Sequence, residues 1–301
     1  MVATWPYYRS MAGSEPVAHV TTPVVAVTER LPGWATLVRA PNPGPMTLDG
    51  TNTWVLRAGP GEPAVVVDPG PADEGHLRAV AGHGPVAAVL VTHGHPDHVE
   101  GLDRFCELSG AGVVAPPPGS ATDLAGLRVT ATATPGHTAD SVCFLVESGG
   151  ERAVLTGDTI LGRGTTVVAW PDGNLGDYLA SLEWLAGLGG TPVLPGHGPG
   201  LTDCGAAASY YLRHRRGRLE QVRAAVAAGA TTPAEVVARV YPDLDPVLRR
   251  AAEWSARAQL AHLDAERDSR RAGLDPSLEP EEIAADSGPE SGSGPRLLDP
   301  P

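Results

Sequence analysis

A chain of 301 residues with 42% hydrophobic side chains is long enough for one large domain, or for a main domain with an appendage. Its formal net charge of −13 excludes a protein that is basic throughout, and the complete lack of lysine excludes a Schiff-base or P-loop lysine. Cys106, Cys143 and Cys204 are too few and too scattered for a disulfide framework or a cysteine-type zinc motif, so each reads as a small hydrophobe. No apolar run approaches the ~20 residues of a membrane span. The N-terminal "MVATWPYYRSMAGSEP" lacks a basic start followed by an apolar stretch, so the expectation is a cytoplasmic protein with no membrane partner.

In chain order, residues 1–20 show no sustained periodicity and are expected to be disordered. Short β-type runs then alternate with turns and helices up to about residue 204. "TNTWVLRAG" and "PAVVVDPG" read as strands, "DEGHLRAVAG" as a helix, "VAAVLVT" as a buried strand, and "VEGLDRFCELSG" as a helix closed by Gly110. "LRVTATAT", "SVCFLVES" and "RAVLTGD" follow as strands, "LGDYLASLEWLAGLGG" as a helix and "TPVLPGHG" as a last strand. Two successive β-rich halves with interspersed helices predict two sheets packed face to face with helices outside. Residues 205–273 read as almost wholly helical, and Thr232, Pro233 and Glu235 form an N-terminal helix signal. Residues 274–301 are acidic and rich in Pro, Gly and Ser, and are expected to be a disordered tail.

Charge follows the same divisions. Residues 1–204 carry 9 Arg against 20 acids, residues 205–273 carry 12 against 8, and residues 274–301 carry 1 against 7. Such asymmetry predicts parts with different roles: a catalytic domain at 21–204 and a helical domain at 205–273.

The chemistry gathers at strand ends. The chain has ten histidines, and three of them, His93, His95 and His98, fall with Asp97 in the hexapeptide "HGHPDH" directly after an apolar strand. Imidazole nitrogen and carboxylate oxygen suit zinc and similar divalent ions. His93 and His95 alternate on an extended or turning backbone and can reach one ion, whereas Asp97 and His98 begin the next helix and can face a second. "ATPGHTAD", "LTGDT" and "LPGHG" bring His137, Asp158 and His197 to three further strand ends, each beside a glycine that permits a sharp turn. Seven donors exceed one tetrahedral ion and fit two with a shared carboxylate.

In order and type, these seven residues resemble the signature of the metallo-β-lactamase superfamily over roughly residues 20 to 200. The resemblance implies an α+β fold, an αββα sandwich, with a binuclear site at one edge. His93, His95 and His137 would hold the first metal, Asp97, His98 and His197 the second, and Asp158 would bridge. Two zinc ions per chain are expected, with manganese or iron as substitutes, and a hydroxide bridging the pair would attack a carbonyl or phosphoryl centre. Asp97 is the candidate to orient that nucleophile and pass on a proton. Asp68, in "VVVDPG", falls where the superfamily carries an Asp that supports the ligands.

A narrower resemblance, to the β-lactamase-like protein 2 group, rests on "GDTILGRGTTVV", "DYLASLEWL", "LPGHGP", "LRHRRGRLEQV" and "TTPAEVVARVYP". Asp158 stands where some β-lactamases use a cysteine ligand, and the 38 residues between Asp158 and His197 leave no room for a large inserted nucleolytic cap. The group includes a single-strand endoribonuclease and carries a C-terminal winged-helix-like domain, although "RDSRRAGLDPS" contains no hairpin signal. The resemblance therefore implies a hydrolase of either single-stranded RNA or a small ester, thioester or lactone. An iron-dependent oxidoreductase, which uses part of the same donor set, is the rival. Arg215 and Arg218 are candidate phosphate contacts, against the alternative of a solvated helix face with Arg–Glu pairs. Thr165 and Thr166 are candidates for the substrate mouth, and Tyr210, Tyr211 and Trp254 are either base-stacking or core aromatics.

Overall fold

The structure, a computed structural model, describes residues 26–28 and 30–272. The expected disordered N-terminus (1–20) and acidic tail (274–301) lie outside the described residues. One sheet has the order β1-β2-β3-β4, formed by Ala35–Arg39, Asn52–Leu56, Ala64–Val67 and Val86–Leu90. The other runs β5-β6-β7-β8-β9, formed by Ala121–Leu124, Leu127–Ala133, Val142–Ser148, Glu151–Gly157 and Val193–Pro195. Neighbouring strands are antiparallel except for the β3–β4 and β8–β9 pairs.

The period-two alternation of side chains explains the layers. In the first sheet Trp54, Leu56, Val65, Val67 and Leu90 face Val129, Phe144, Val146 and Leu155 of the second, making the inter-sheet core. Val55, Val66 and Val89 point the other way, onto α1 (Glu74–Ala81) and α3 (Leu102–Ser109), through Leu77, Val80 and Phe105. The far face of the second sheet, with Cys143, Val154 and Val193, is covered by α4 (Leu175–Ala186) and α5 (Cys204–Ala227). Every strand predicted above is present. β1 and β5 were not foreseen: both are edge strands, and β5 alternates between exposed and half-buried residues, which leaves little apolar pattern to read.

Helix ends follow local chemistry. Asp73, Asn174 and Asp203 cap α1, α4 and α5 by accepting backbone N–H bonds. Gly110 ends α3 in the left-handed region at φ 71°. Thr232 and Glu235 form a complete capping box for α6 (Pro233–Val240), and a 3-10 turn, Pro246–Leu248, leads into α7 (Arg249–Arg271). Among the described residues, the segment from 232 onward holds no strand. The chain to Leu263 forms one compact unit and a second starts at Asp264. The division expected after residue 204 falls at the start of α5, whose Ala207, Ala208, Tyr211 and Leu212 share one apolar cluster with β8, β9 and α4. Among the described residues no helix is long and apolar enough to cross a membrane.

Candidate metal centre

Strands β3, β4, β6, β8 and β9 all run toward one edge of the sandwich, and the residues after their last positions meet there. Asp68 follows β3. His93 and His95 follow β4, and α2 (Pro96–Val99) carries Asp97 and His98. His137, Asp158 and His197 follow β6, β8 and β9. The turns demand glycine at two points. Gly157 has φ 47° and a Cβ there would lie 2.5 Å from Thr92 Oγ1, while a Cβ on Gly196 would lie 2.5 Å from Asp158 Oδ1.

The donors form two groups: His93, His95, His137 and Asp158 in one, and Asp97, His98 and His197 in the other. His95 Nδ1 lies 3.0 Å from both His93 Nε2 and His137 Nε2. Asp97 Oδ2 is 3.1 Å from His197 Nε2 and 3.4 Å from His98 Nε2. Asp158 stands between the groups, with Oδ2 3.7 Å from His137 Nε2 and 3.3 Å from His197 Nε2, and Oδ1 3.5 Å from His98 Nε2.

The partners around these rings decide which nitrogen each one presents. Asp68 Oδ2 accepts from His98 Nδ1–H (2.8 Å) and from Thr92 Oγ1–H (2.7 Å), and Asp68 Oδ1 accepts from Thr92 N–H (2.7 Å). Because the Thr92 hydroxyl proton is committed to Asp68, that oxygen accepts from His93 Nδ1–H at 3.0 Å. His137 Nδ1–H donates to the Val167 carbonyl at 2.7 Å, and His197 Nδ1–H points at the Gly50 carbonyl at 3.4 Å. His93 and His137 thus turn a bare Nε2 inward, His98 and His197 also present Nε2, and His95 presents Nδ1. Such outer partners fix tautomer and orientation.

The residues fit divalent cations on three grounds. His93 Nε2 and His137 Nε2 both face His95 Nδ1 at 3.0 Å, so three ring nitrogens have one proton at most among them, and ligand atoms around a tetrahedral zinc lie roughly 3.3 Å apart. Asp158 Oδ1 is buried with no hydrogen-bond partner. The nitrogen and oxygen donor set is the type that zinc and its neighbours take.

Charge differs between the groups. Burial, and then the neighbouring cationic His98, pushes His93 well below the ordinary histidine range; burial also lowers His95, and lowers His137 to about 4. At His98, burial is overcome by Asp97, Asp158 and Asp68, which raise it well above that range. At His197, burial is again overcome, chiefly by Asp158, and the ring rises to about 9. Asp97 and Asp158 move the other way: burial resists, but His98 and His197 hold both carboxyls well below the ordinary carboxylate range.

Two cavities open onto the cluster. One of about 250 Å³ is walled by Pro43, Pro45, Met46, Ala169, Ala251 and Trp254 around His95, Asp97 and Asp158. A wider one, about 670 Å³, runs past His137 and Asp158 to Thr165, Thr166, Arg215, Arg218, Tyr210 and Tyr241. Thr166 is buried, with Oγ1 3.2 Å from His137 Nδ1, and Thr165 is half-buried at the wall. Arg215 is only 5% exposed; it donates to the Thr166 carbonyl and lies over the Tyr178 ring at 5.4 Å. Arg218 donates to Gln221 Oε1 at 2.6 Å and stacks on Tyr241. Tyr211 is a core residue, Tyr210 is exposed, and Trp254 faces the smaller cavity.

Thr51 was missed in the sequence. Its hydroxyl donates to Asp97 Oδ2 at 3.0 Å, and Asn42 holds it by accepting its N–H (2.9 Å) and donating to its Oγ1 (3.0 Å). The signal was present: Thr51, Asn52 and Thr53 are three consecutive polar residues, all wholly buried, leading into an apolar strand.

A two-sheet sandwich with a histidine and carboxylate cluster at its strand ends defines a class of metal-dependent hydrolases. Residues 46–122 and 113–197 match the metallo-beta-lactamase superfamily, and residues 232–273 match the beta-lactamase associated winged helix domain. The chain belongs to the metallo-beta-lactamase superfamily, with a winged-helix-type segment after the catalytic fold. It is 31% identical to the beta-lactamase-like protein 2 homolog of Caenorhabditis elegans, over 74% of this chain and 82% of that one. It is 32% identical to an atrochrysone carboxyl ACP thioesterase of Aspergillus fumigatus, over 66% of this chain and 71% of that one. The match spans 61% of the length of a lactamase-like protein of Aspergillus niger and 82% of that of the Caenorhabditis elegans relative. Among solved structures, a metallo-beta-lactamase family protein of Thermus thermophilus superposes with a TM-score of 0.65 at 24% identity, covering 78% of this chain and 94% of that one. That likeness concerns the fold.

Proposed function

We propose that this hydrolase holds two zinc ions and cleaves a small acyl compound, an ester or thioester. His93, His95 and His137 would hold one ion and Asp97, His98 and His197 the other, with Asp158 shared. The carrying observation is that both donor groups converge, ring nitrogens and carboxylates inward, beside a small cavity with an apolar wall. Ions there would supply an acidified water and Lewis-acid stabilisation of a developing oxyanion.

The chain's own residues do the rest. Asp97, ionised and steadied by Thr51, takes the proton of the attacking water and returns it to the leaving group. Pro43, Pro45, Met46 and Trp254 receive the apolar acyl portion and keep bulk water from it, and the wider cavity takes the leaving group. One relative is named a thioesterase, which agrees with this reading.

Single-strand RNA cleavage draws on the arginines of α5. Their placement favours it less: Arg215 is buried, Arg216 is paired with Glu183 at 2.6 Å, and Arg218 is engaged with Gln221 and Tyr241. The test is metal analysis of natively purified full-length protein, followed by a parallel screen of acyl thioesters, esters, lactones, phosphodiesters and single-stranded RNA with defined metals. Two zinc per chain and acyl turnover are expected. RNA cleavage without acyl turnover would overturn the substrate, and one iron with no zinc would overturn the metal centre.

A further inference from the structure

The segment from Leu161 to Val167 carries the Val167 carbonyl that orients His137, yet it has no regular structure of its own. Among the described residues, 163–168 make no backbone–backbone hydrogen bond. An irregular strip lining a cavity needs its polar groups satisfied by something else. The partners come from α5. Tyr211 Oη accepts from Leu161 N–H at 3.1 Å and donates to the Gly164 carbonyl at 3.1 Å. One turn further along the same face, Arg215 donates to the Thr166 carbonyl. Tyr178 of α4, its hydroxyl donating to the Thr159 carbonyl at 2.7 Å, puts its ring under the Arg215 guanidinium. Tyr178 and Tyr211 are wholly buried and Arg215 nearly so.

We propose that Arg215, with Tyr211, is a positioning residue of the metal centre: α5 clamps the 161–167 segment so that the Val167 carbonyl holds His137 with Nε2 turned to the ion. The proposal rests on the reading of His137 as a ligand. A buried guanidinium with no carboxylate partner among the described residues is an expensive way to fill core space. It becomes intelligible when the group secures the Thr166 carbonyl, because Thr166 Oγ1 and the next residue's Val167 O both lie on His137 Nδ1, at 3.2 and 2.7 Å. Orienting partners of this kind change metal affinity by about 10–100-fold.

The experiment titrates the metal-free, full-length chain with Zn²⁺ against a chromophoric chelator, and follows the His137 Nδ1–H signal by nitrogen–proton NMR. Arg215→Met keeps the stem and removes the donors; it should weaken one of two zinc equivalents about tenfold and speed exchange of that proton. Arg215→Lys should recover part of the loss. Tyr211→Phe, which retains the buried ring, should weaken the same equivalent by a few-fold and serves in place of Arg215→Met should that variant not fold. In a His137→Ala background neither substitution should lower affinity further. Wild-type zinc binding in the folded Arg215→Met or Tyr211→Phe variants, or an equal loss in the His137→Ala background, overturns the clamp. If His137→Ala itself leaves zinc binding intact, the ligand assignment fails instead.

Discussion

The two donor groups differ in charge before any ion arrives. At His93, His95 and His137 burial outweighs the pull of Asp158 and holds the rings neutral, so the first group stands ready without a proton to lose. His98 and His197 sit among Asp68, Asp97 and Asp158 and bind protons tightly, so the second group carries its own cations. Identical side chains, a few ångströms apart, are set to opposite states by what surrounds them. The lesson is that the first group is preorganised for a metal, and the second must exchange protons for one.

The sharpest way to break this contrast is to remove the carboxylate that serves both the second group and the chemistry. Asp97→Ala should keep the fold, because Asp97 packs no apolar core, and lower hydrolytic turnover by about 10²–10⁴-fold. The variant should also lose one zinc equivalent and keep the other, as read by elemental analysis. Wild-type turnover in a folded Asp97→Ala protein would remove the residue from its role.

Asp68 is the next lever. It is the one carboxylate bonded to His98 from behind, and it also ties Thr92, which in turn bonds His93. Asp68→Asn can accept from one partner and no longer balances the His98 charge. The second zinc equivalent should weaken by about 10–100-fold, and the first should weaken less, since His93 reaches Asp68 only through Thr92. Equal weakening of both, measured by chelator competition, would show that Asp68 supports the loop as a whole and does not discriminate between the groups.

Much of this was legible in the sequence, for a physical reason. Donors placed beside glycines directly after apolar strands must emerge at strand ends, and strands of one sandwich bring those ends to a common edge. Hence the seven candidate donors could be named from local context, and Asp68 from the resemblance to the superfamily. What stayed hidden depends on direction in space. Arg215 was read with Arg218 as a candidate phosphate contact, but helical spacing puts it four residues after Tyr211 and four before Leu219, on the buried stripe of α5. The clue was periodicity, and charge composition masked it. Thr51 was passed over because a strand rich in threonine looks ordinary until its hydroxyl is seen on Asp97. The edge strands β1 and β5 bury one side at most, so they offer little apolar rhythm.

The smallest effect, and the most direct probe of the charge contrast, is the pH dependence of the metal-free protein's stability. His197 is raised from an ordinary 6.5 to about 9, so the folded chain binds that proton more tightly than the unfolded chain does. Its contribution is complete below pH 6.5 and is lost as pH climbs through about 9. His137 has the opposite sign: lowered to about 4, it costs stability as pH falls below 6.5 and adds no slope above that point. The thermal midpoint of the metal-free chain should therefore fall between pH 6.5 and about 9, by about 2–4 °C for each kcal/mol lost. Zinc competes with protons for the same nitrogens, so the holoprotein should show the slope flattened or reversed. A midpoint that rises through this window without metal would mean that the second group is not protonated at neutral pH, and that the two donor groups are electrostatically alike.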